Sequence, residues 1–185
     1  MVRNLFVGCF LLTMVVLLMG CGTVLTDGPH KLDTPTPGVA HVIPWGIQNK
    51  HSGCVPQGVS PDPQCTPGAI FHNVTAAMVC VSGYSSGVRN VPQSEKNQVY
   101  AEYGIASHLP GQYEVDHSIS LELGGSNDIS NLWPEVASPA PGFHEKDKVE
   151  NYLHAEVCAG RMMLLEAQKE ISSNWLDVYT KHVKV

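Results

Sequence analysis

The stretch Tyr113-Glu-Val-Asp-His-Ser-Ile-Ser-Leu-Glu-Leu-Gly-Gly-Ser-Asn-Asp-Ile-Ser-Asn-Leu-Trp-Pro134 decides the fold. Apolar residues at 113, 115, 119, 121 and 123 follow the two-residue period of a half-buried strand. Gly124-Gly125, followed by Ser-Asn-Asp, supplies residues that tolerate a tight connection. The stretch therefore predicts strand, turn, strand. Beyond a loop marked by Pro139, Pro141 and Gly142, Val149, Leu153 and Val157 fall at helical spacing before Gly160, a helix stop. Leu164, Ile171, Trp175 and Tyr179 lie near one face of a second helix. The order from residue 113 onward is β-β-α-α, an α+β class. Upstream, residues 76–81 form a short buried-type run that suits either a strand or a short helix, and residues 98–103 suit a helix stopped at Gly104.

Composition narrows the classes. The chain has 185 residues, 43% hydrophobic and 15% charged, with 17 Gly and 13 Pro, which provides for a core together with much loop. Global disorder and a coiled coil are excluded. With 11 basic against 17 acidic side chains the net charge is -6, which disfavours a polybasic protein held to nucleic acid by charge alone.

Residues 1–20 hold one early cation, Arg3, and an apolar run from Leu5 to Met19 that ends in Leu18-Met19-Gly20-Cys21. The run is marginal against the roughly 20 apolar residues of a bilayer span, and its end resembles a bacterial lipobox cleaved before the cysteine. On this reading residues 1–20 are a lipoprotein signal peptide and Cys21 carries the lipid that anchors the chain in a membrane of the cell envelope. The alternative is an uncleaved anchor helix, and both place the remaining chain outside the cytoplasm. Residues 21–67, rich in Pro, Gly, Thr and Ser, read as a tether that is partly ordered near Trp45, Cys54 and Cys65. Residues 68–185 form the main domain.

Setting aside Cys9 and Cys21 leaves Cys54, Cys65, Cys80 and Cys158, an even number suited to two disulfides and to export. Three pairings are open. Cys54 and Cys65 bracket a Pro/Gly-rich loop, so a local 54–65 bridge with a long-range 80–158 bridge is the expected pairing. A zinc site is the rival reading, but the paired CxxC spacing of such sites is missing.

Asp116-His117, Gly124-Gly125, Asn131-Leu132 and His144 at a helix start together resemble the HNH (ββα-metal, His-Me finger) endonuclease motif, with the finger spanning residues 113–158. The resemblance implies a ββα-metal finger with an additional C-terminal helix and a loop-rich, disulfide-stapled N-terminal part. It also implies roles. His117 is the general base, and histidine suits the task because its unperturbed pKa of about 6.5 lies near working pH. Asp116 is a hard oxygen ligand for metal. Adjacent strand residues face opposite ways, so a twist or bulge must let 116 and 117 share one site. Asn131 ties the turn to the rest of the finger and orients the base. His144 completes the metal site, with Asp147 and Glu150, on the same helix, as alternative ligands.

One carboxylate and one imidazole leave a divalent ion most of its waters, which suits Mg²⁺ or Mn²⁺. Zinc would need Asp147 or Glu150 as a third ligand, and nickel or zinc becomes favourable where imidazole dominates. Arg89 and Lys146 are candidate phosphate contacts, whereas Glu122 and Glu135 read as surface residues and His154 as the side of a helix. The function implied is metal-dependent hydrolysis of DNA outside the cytoplasm, with DNA as partner and with weak, salt-sensitive binding because the net charge is negative. Two alternatives are a non-catalytic envelope lipoprotein that uses the same fold as a binding scaffold, and a hydrolase of another phosphodiester.

Overall fold

A computed structural model describes residues 45–184. The leader, Cys21 and residues 21–44 of the expected tether lie outside the described residues. The helices are α1 (Ala76–Val79), α2 (Tyr84–Val88), α3 (Gln93–Glu102), α4 (Phe143–Cys158) and α5 (Leu164–Val178), the last running into a π-turn, Tyr179–Val183. β1 (Tyr113–His117) and β2 (Leu132–Val136) pair antiparallel in one two-stranded sheet. The class is α+β, as the sequence pattern predicts.

The run at 76–81 resolves as helix, because Thr75 caps it by accepting from the Met78 N–H at 3.3 Å. The alternation across 119–123 does not continue the strand. β1 ends at His117, and Leu121–Leu123 is a 3-10 turn. Ser120 starts that turn by accepting from the Glu122 N–H, and its carbonyl takes the Gly125 N–H, so the chain bends where the period alone would extend it. The glycine pair is forced by this bend: a Cβ on Gly125 would lie 1.7 Å from the Ile119 carbonyl oxygen, and Gly124 has φ +78° with Val74 pressed against it.

Val149, Leu153 and Val157 line one face of α4 and pack against Ala167, Ile171, Trp175 and Val178 of α5, with Val79, Ile119 and Leu123 completing the core. Truncating any of the large members to Ala should cost about 2–5 kcal/mol. On the hairpin's other side Val99 of α3 packs on Val115 and Leu132. Both expected disulfides are present, Cys54–Cys65 with Cα atoms 6.1 Å apart and Cys80–Cys158 with 5.5 Å. The second joins the end of α1 to the end of α4 across 78 residues, a closure that contributes roughly 4 kcal/mol in the chain-entropy model.

Residues 45–67, expected as the partly ordered end of a tether, belong to the folded unit. The Cys54 N–H donates to the Glu102 carbonyl, the Thr66 hydroxyl to the Leu132 carbonyl and the Trp175 indole N–H to the Val59 carbonyl. A boundary at residue 68 is therefore too late. Local composition misses these bonds because their partners are far away in sequence. Disulfides of this kind are consistent with an extracellular or periplasmic location. Among the described residues no helix is long and apolar enough to cross a membrane.

Candidate active site

The site is built on the hairpin and on the first three turns of α4. β1 and β2 run in unbroken register, Asp116 opposite Trp133 and His117 opposite Leu132, so the bulge needed to bring the 116 and 117 side chains together is absent. Strand alternation sends the two side chains to opposite faces. What they share is Lys146. Its ammonium donates to Asp116 Oδ2 at 2.6 Å, to Glu150 Oε1 at 2.6 Å and to the His117 carbonyl at 2.8 Å, with the side chain 1% exposed. Burial alone would lower the Lys146 pKa, but the Asp116, Glu150 and Glu135 carboxyls outweigh it and hold the ammonium protonated. Asp116 gains in return: burial would raise its pKa, and Lys146 brings it below the usual carboxylate range.

Two further carboxyls complete this interior cluster. Glu150 turns its second oxygen to the Ser120 hydroxyl at 2.8 Å, and burial, partly offset by Lys146, raises its pKa to about 7. Glu135 is 1% exposed, and no N–H or hydroxyl of the protein reaches either of its oxygens. Its polar neighbour is the Asp116 carboxylate, and two carboxyls bond only if one carries a proton. Burial, with the Asp116 charge beside it, pushes Glu135 up to about 10, so the proton sits there. Glu135 is a participant that the sequence reading assigned to the surface. The available signal is its position two residues from Trp133, which places it on the Asp116 side of the sheet once the register is known.

His117 faces the other way. It is 2% exposed, and its Nε2 lies 3.3 Å from Asn127 Oδ1, while Asn127 Nδ2 donates to the Val88 carbonyl and so holds the loop after α2 over the ring. Burial, with the Arg89 and Lys146 charges, pulls His117 down to about 4 against the opposing Asp116, leaving the imidazole neutral. Arg89 is exposed, and its charge acts on His117, Glu114 and Asp147 together. Burial and the Asp116 charge raise both Glu114 and Asp147. The outer rim is thus a group of mutually repelling carboxylates with one arginine. His144 is exposed on the first turn of α4, its ring against Phe143 at 4.2 Å, and its charge is felt by Asp147.

Asn131 is fully buried and uses its whole amide. Oδ1 accepts from the Ala69 and Ile119 N–H groups at 3.2 and 2.9 Å, and Nδ2 donates to the Ile119 and Ser126 carbonyls at 3.0 and 2.8 Å. It pins both ends of the connection between the strands, and it touches none of the acidic rim.

Two expected roles are corrected. Lys146 is the buried hub of three acceptors and not a free contact for phosphate, because Asp116 and Glu150 converge on it from β1 and from one turn along α4. Glu150, an alternative metal ligand by sequence, has one oxygen on Lys146 and the other on Ser120. Asp147 and Glu114 remain as hard oxygen donors outside the cluster, with His144 one turn from Asp147, whereas Asp116 shares its carboxylate with Lys146 and the Glu135 proton. Their chemistry suits a divalent ion that keeps its waters.

Among the described residues the one group of three or more ligand atoms within 4.8 Å of one another is Cys80, His154 and Cys158. A three-ligand zinc cage on Asp116 is therefore not preformed. The Cys80 group has the composition to hold a metal ion, but its sulfurs are bonded to each other and His154 Nε2 lies 3.0 Å from the Val79 carbonyl.

No known family, curated protein or solved structure matches the chain.

Proposed function

We propose that this is an exported, lipid-anchored, metal-dependent endonuclease of the HNH type that hydrolyses phosphodiester bonds of DNA. The observation that carries the reading is the Asn131-pinned connection on a β-β-α frame, which holds a neutral, buried His117 within the electrostatic reach of Asp116 and of the exposed Arg89, with the Asp116 side chain on the other strand face. His117 accepts the proton of the attacking water, and Asn127 fixes its ring. A phosphodiester anion seated beside the ring raises its basicity from the low value of the free protein. Arg89 neutralises a phosphate oxygen. Asp116, with Asp147 or His144, would hold Mg²⁺ or Mn²⁺, which when bound supplies charge stabilisation at the phosphate and the leaving oxygen. Lys146 keeps Asp116 ionised and in place.

A second reading has its own support. Lys146 already pairs with both Asp116 and Glu150, an arrangement that also serves a non-catalytic binding scaffold. The two separate on cleavage of plasmid and single-stranded DNA by the disulfide-intact protein with Mg²⁺, Mn²⁺, Ni²⁺, Zn²⁺ or EDTA, beside His117→Ala. Metal-dependent nicking that vanishes in the folded variant supports the nuclease. No cleavage with any ion, from folded protein, selects the scaffold.

A further inference from the structure

The two disulfides differ in their surroundings. Cys54 and Cys65 are buried, whereas Cys158 is exposed and Cys80 reaches solvent beside it. Cys80 also lines a recess of about 250 Å³ together with His154, Glu122 and Tyr84, and no lysine or arginine among the described residues borders it. An exposed cystine is the more easily reduced kind, and a buried one is shielded from an attacking thiolate. The chain thus carries one shielded disulfide and one that a dithiol can reach.

Next to the accessible bridge lies a donor set for metal. His154 and Cys158 are one turn apart on α4, so their side chains share a helix face, and Cys80 meets them from the end of α1. One imidazole nitrogen and both sulfurs lie within 4.8 Å of one another. His154 Nε2 is 3.0 Å from the Val79 carbonyl, which only accepts, so Nε2 carries the proton and Nδ1 keeps its lone pair. A bond of this kind fixes the tautomer of a metal-ligating histidine.

In the closed cystine the sulfurs are bonded to each other and carry no thiolate charge. A dithiol opens it: one thiolate attacks a cystine sulfur, the other sulfur leaves and takes a proton, and the second thiol resolves the mixed disulfide. Two electrons and two protons pass to the cystine, and the dithiol becomes a disulfide. A zinc ion then displaces the two new thiol protons to solvent. Thiolates about 2.3 Å from tetrahedral zinc lie about 3.8 Å apart, a separation that side-chain rotation gives from Cα atoms 5.5 Å apart. The geometry points to a redox-gated zinc site made by Cys80, Cys158 and His154, closed by the disulfide and opened by a dithiol, with the fourth position left to water. The ion then joins α1 to α4 in place of the covalent bridge.

The test uses the full chain, treated without oxygen with a limiting dithiol and desalted, with alkylation and mass mapping to show which bridge has opened. Cys80–Cys158 should open first. Co²⁺ added to this protein should give the intense visible bands of a tetrahedral site and a thiolate-to-metal charge-transfer band, and an equivalent of Zn²⁺ should bleach both. The oxidised chain, which still carries Cys9 and Cys21, should show neither. Half-saturation on the order of a micromolar is expected, weaker than in four-ligand structural sites. His154→Gln, which keeps a donor for the Val79 carbonyl, should weaken binding at least about tenfold.

Melting followed by circular dichroism separates a folded site from the thiolates of an unfolded chain. At about a hundredfold excess over half-saturation, Zn²⁺ should raise the melting temperature of the reduced chain by at least about 5 °C. The oxidised chain and the Cys80→Ser, Cys158→Ser double variant should not move. The proposal is overturned if Cys54–Cys65 opens first, if the reduced chain gives no charge-transfer band, if His154→Gln binds as tightly as wild type, or if Zn²⁺ leaves the melting temperature of the reduced chain unchanged. None of these readouts involves DNA cleavage, so the nuclease reading is tested separately.

Discussion

Replacing Lys146 by Met tests whether the buried ammonium holds the site together. Met keeps the length and the apolar stem but removes the three bonds to Asp116, Glu150 and the His117 carbonyl. Breaking a buried ion pair by deleting one partner costs about 3–5 kcal/mol, because the other charge stays buried without compensation. Here the Lys146 side chain is 1% exposed but Asp116 and Glu150 are 13% and 15% exposed, so water and proton uptake relieve part of the loss. The lower end, about 3 kcal/mol, is expected. For a folded unit of this size that lowers the melting temperature by about 10 °C.

The assay is urea and thermal unfolding followed by circular dichroism with the disulfides intact, for Lys146→Met, Glu150→Gln and the double variant. Because Glu150→Gln removes one of the stranded charges, the double variant should lose at least about 1 kcal/mol less than the sum of the singles. The clamp is refuted if folded Lys146→Met loses under about 1 kcal/mol, or if the two changes simply add.

Three further outcomes follow from the same geometry. Asn131→Ala removes four hydrogen bonds from a fully buried amide and leaves the Ala69 and Ile119 N–H groups unpaired, so a loss of about 3–5 kcal/mol is expected in denaturant titration. Gly125→Ala should fail to give soluble folded protein, since its Cβ would meet the Ile119 carbonyl oxygen at 1.7 Å; a normal melting curve would contradict the backbone path. Glu135→Gln probes the proton on Glu135. With a folded pKa pushed up to about 10, the native state holds a proton that the unfolded chain releases above its ordinary value of 4.5, so wild-type stability falls as pH rises through that window. Gln mimics the protonated form and removes this slope. Unfolding free energies at pH 5 and pH 9 should therefore diverge between the two proteins, with the variant the more stable at pH 9, and parallel values would place the proton elsewhere.

Several parts of this molecule could be read from the sequence because local rules determine them. The α4 and α5 helices follow from a 3.6-residue period ended by Gly160, and the disulfide pairing follows from one local loop that leaves a single partner for each remaining cysteine. Asn131 is marked by the resemblance of the Asp-His, Gly-Gly and Asn-Leu set to a known motif, not by a local rule. What the sequence hides is convergence. Lys146, between Glu145 and Asp147, reads as a candidate phosphate contact, and Glu135 reads as an acid at the surface. Each is charged, and charge near an element boundary ordinarily means exposure.

Only tertiary packing, which brings the first turns of α4 against β1, places an ammonium among Asp116, Glu150 and Glu135 and so decides which carboxyls stay ionised and which hold a proton. The strand register likewise settled that Asp116 and His117 diverge, and distant contacts of Cys54, Val59 and Thr66 drew the apparent tether into the fold. Periodicity, spacing and turn chemistry act over a few residues and are written in the chain. Burial, desolvation and the field of neighbouring charges depend on partners tens of residues away, and they exist only once the chain has folded.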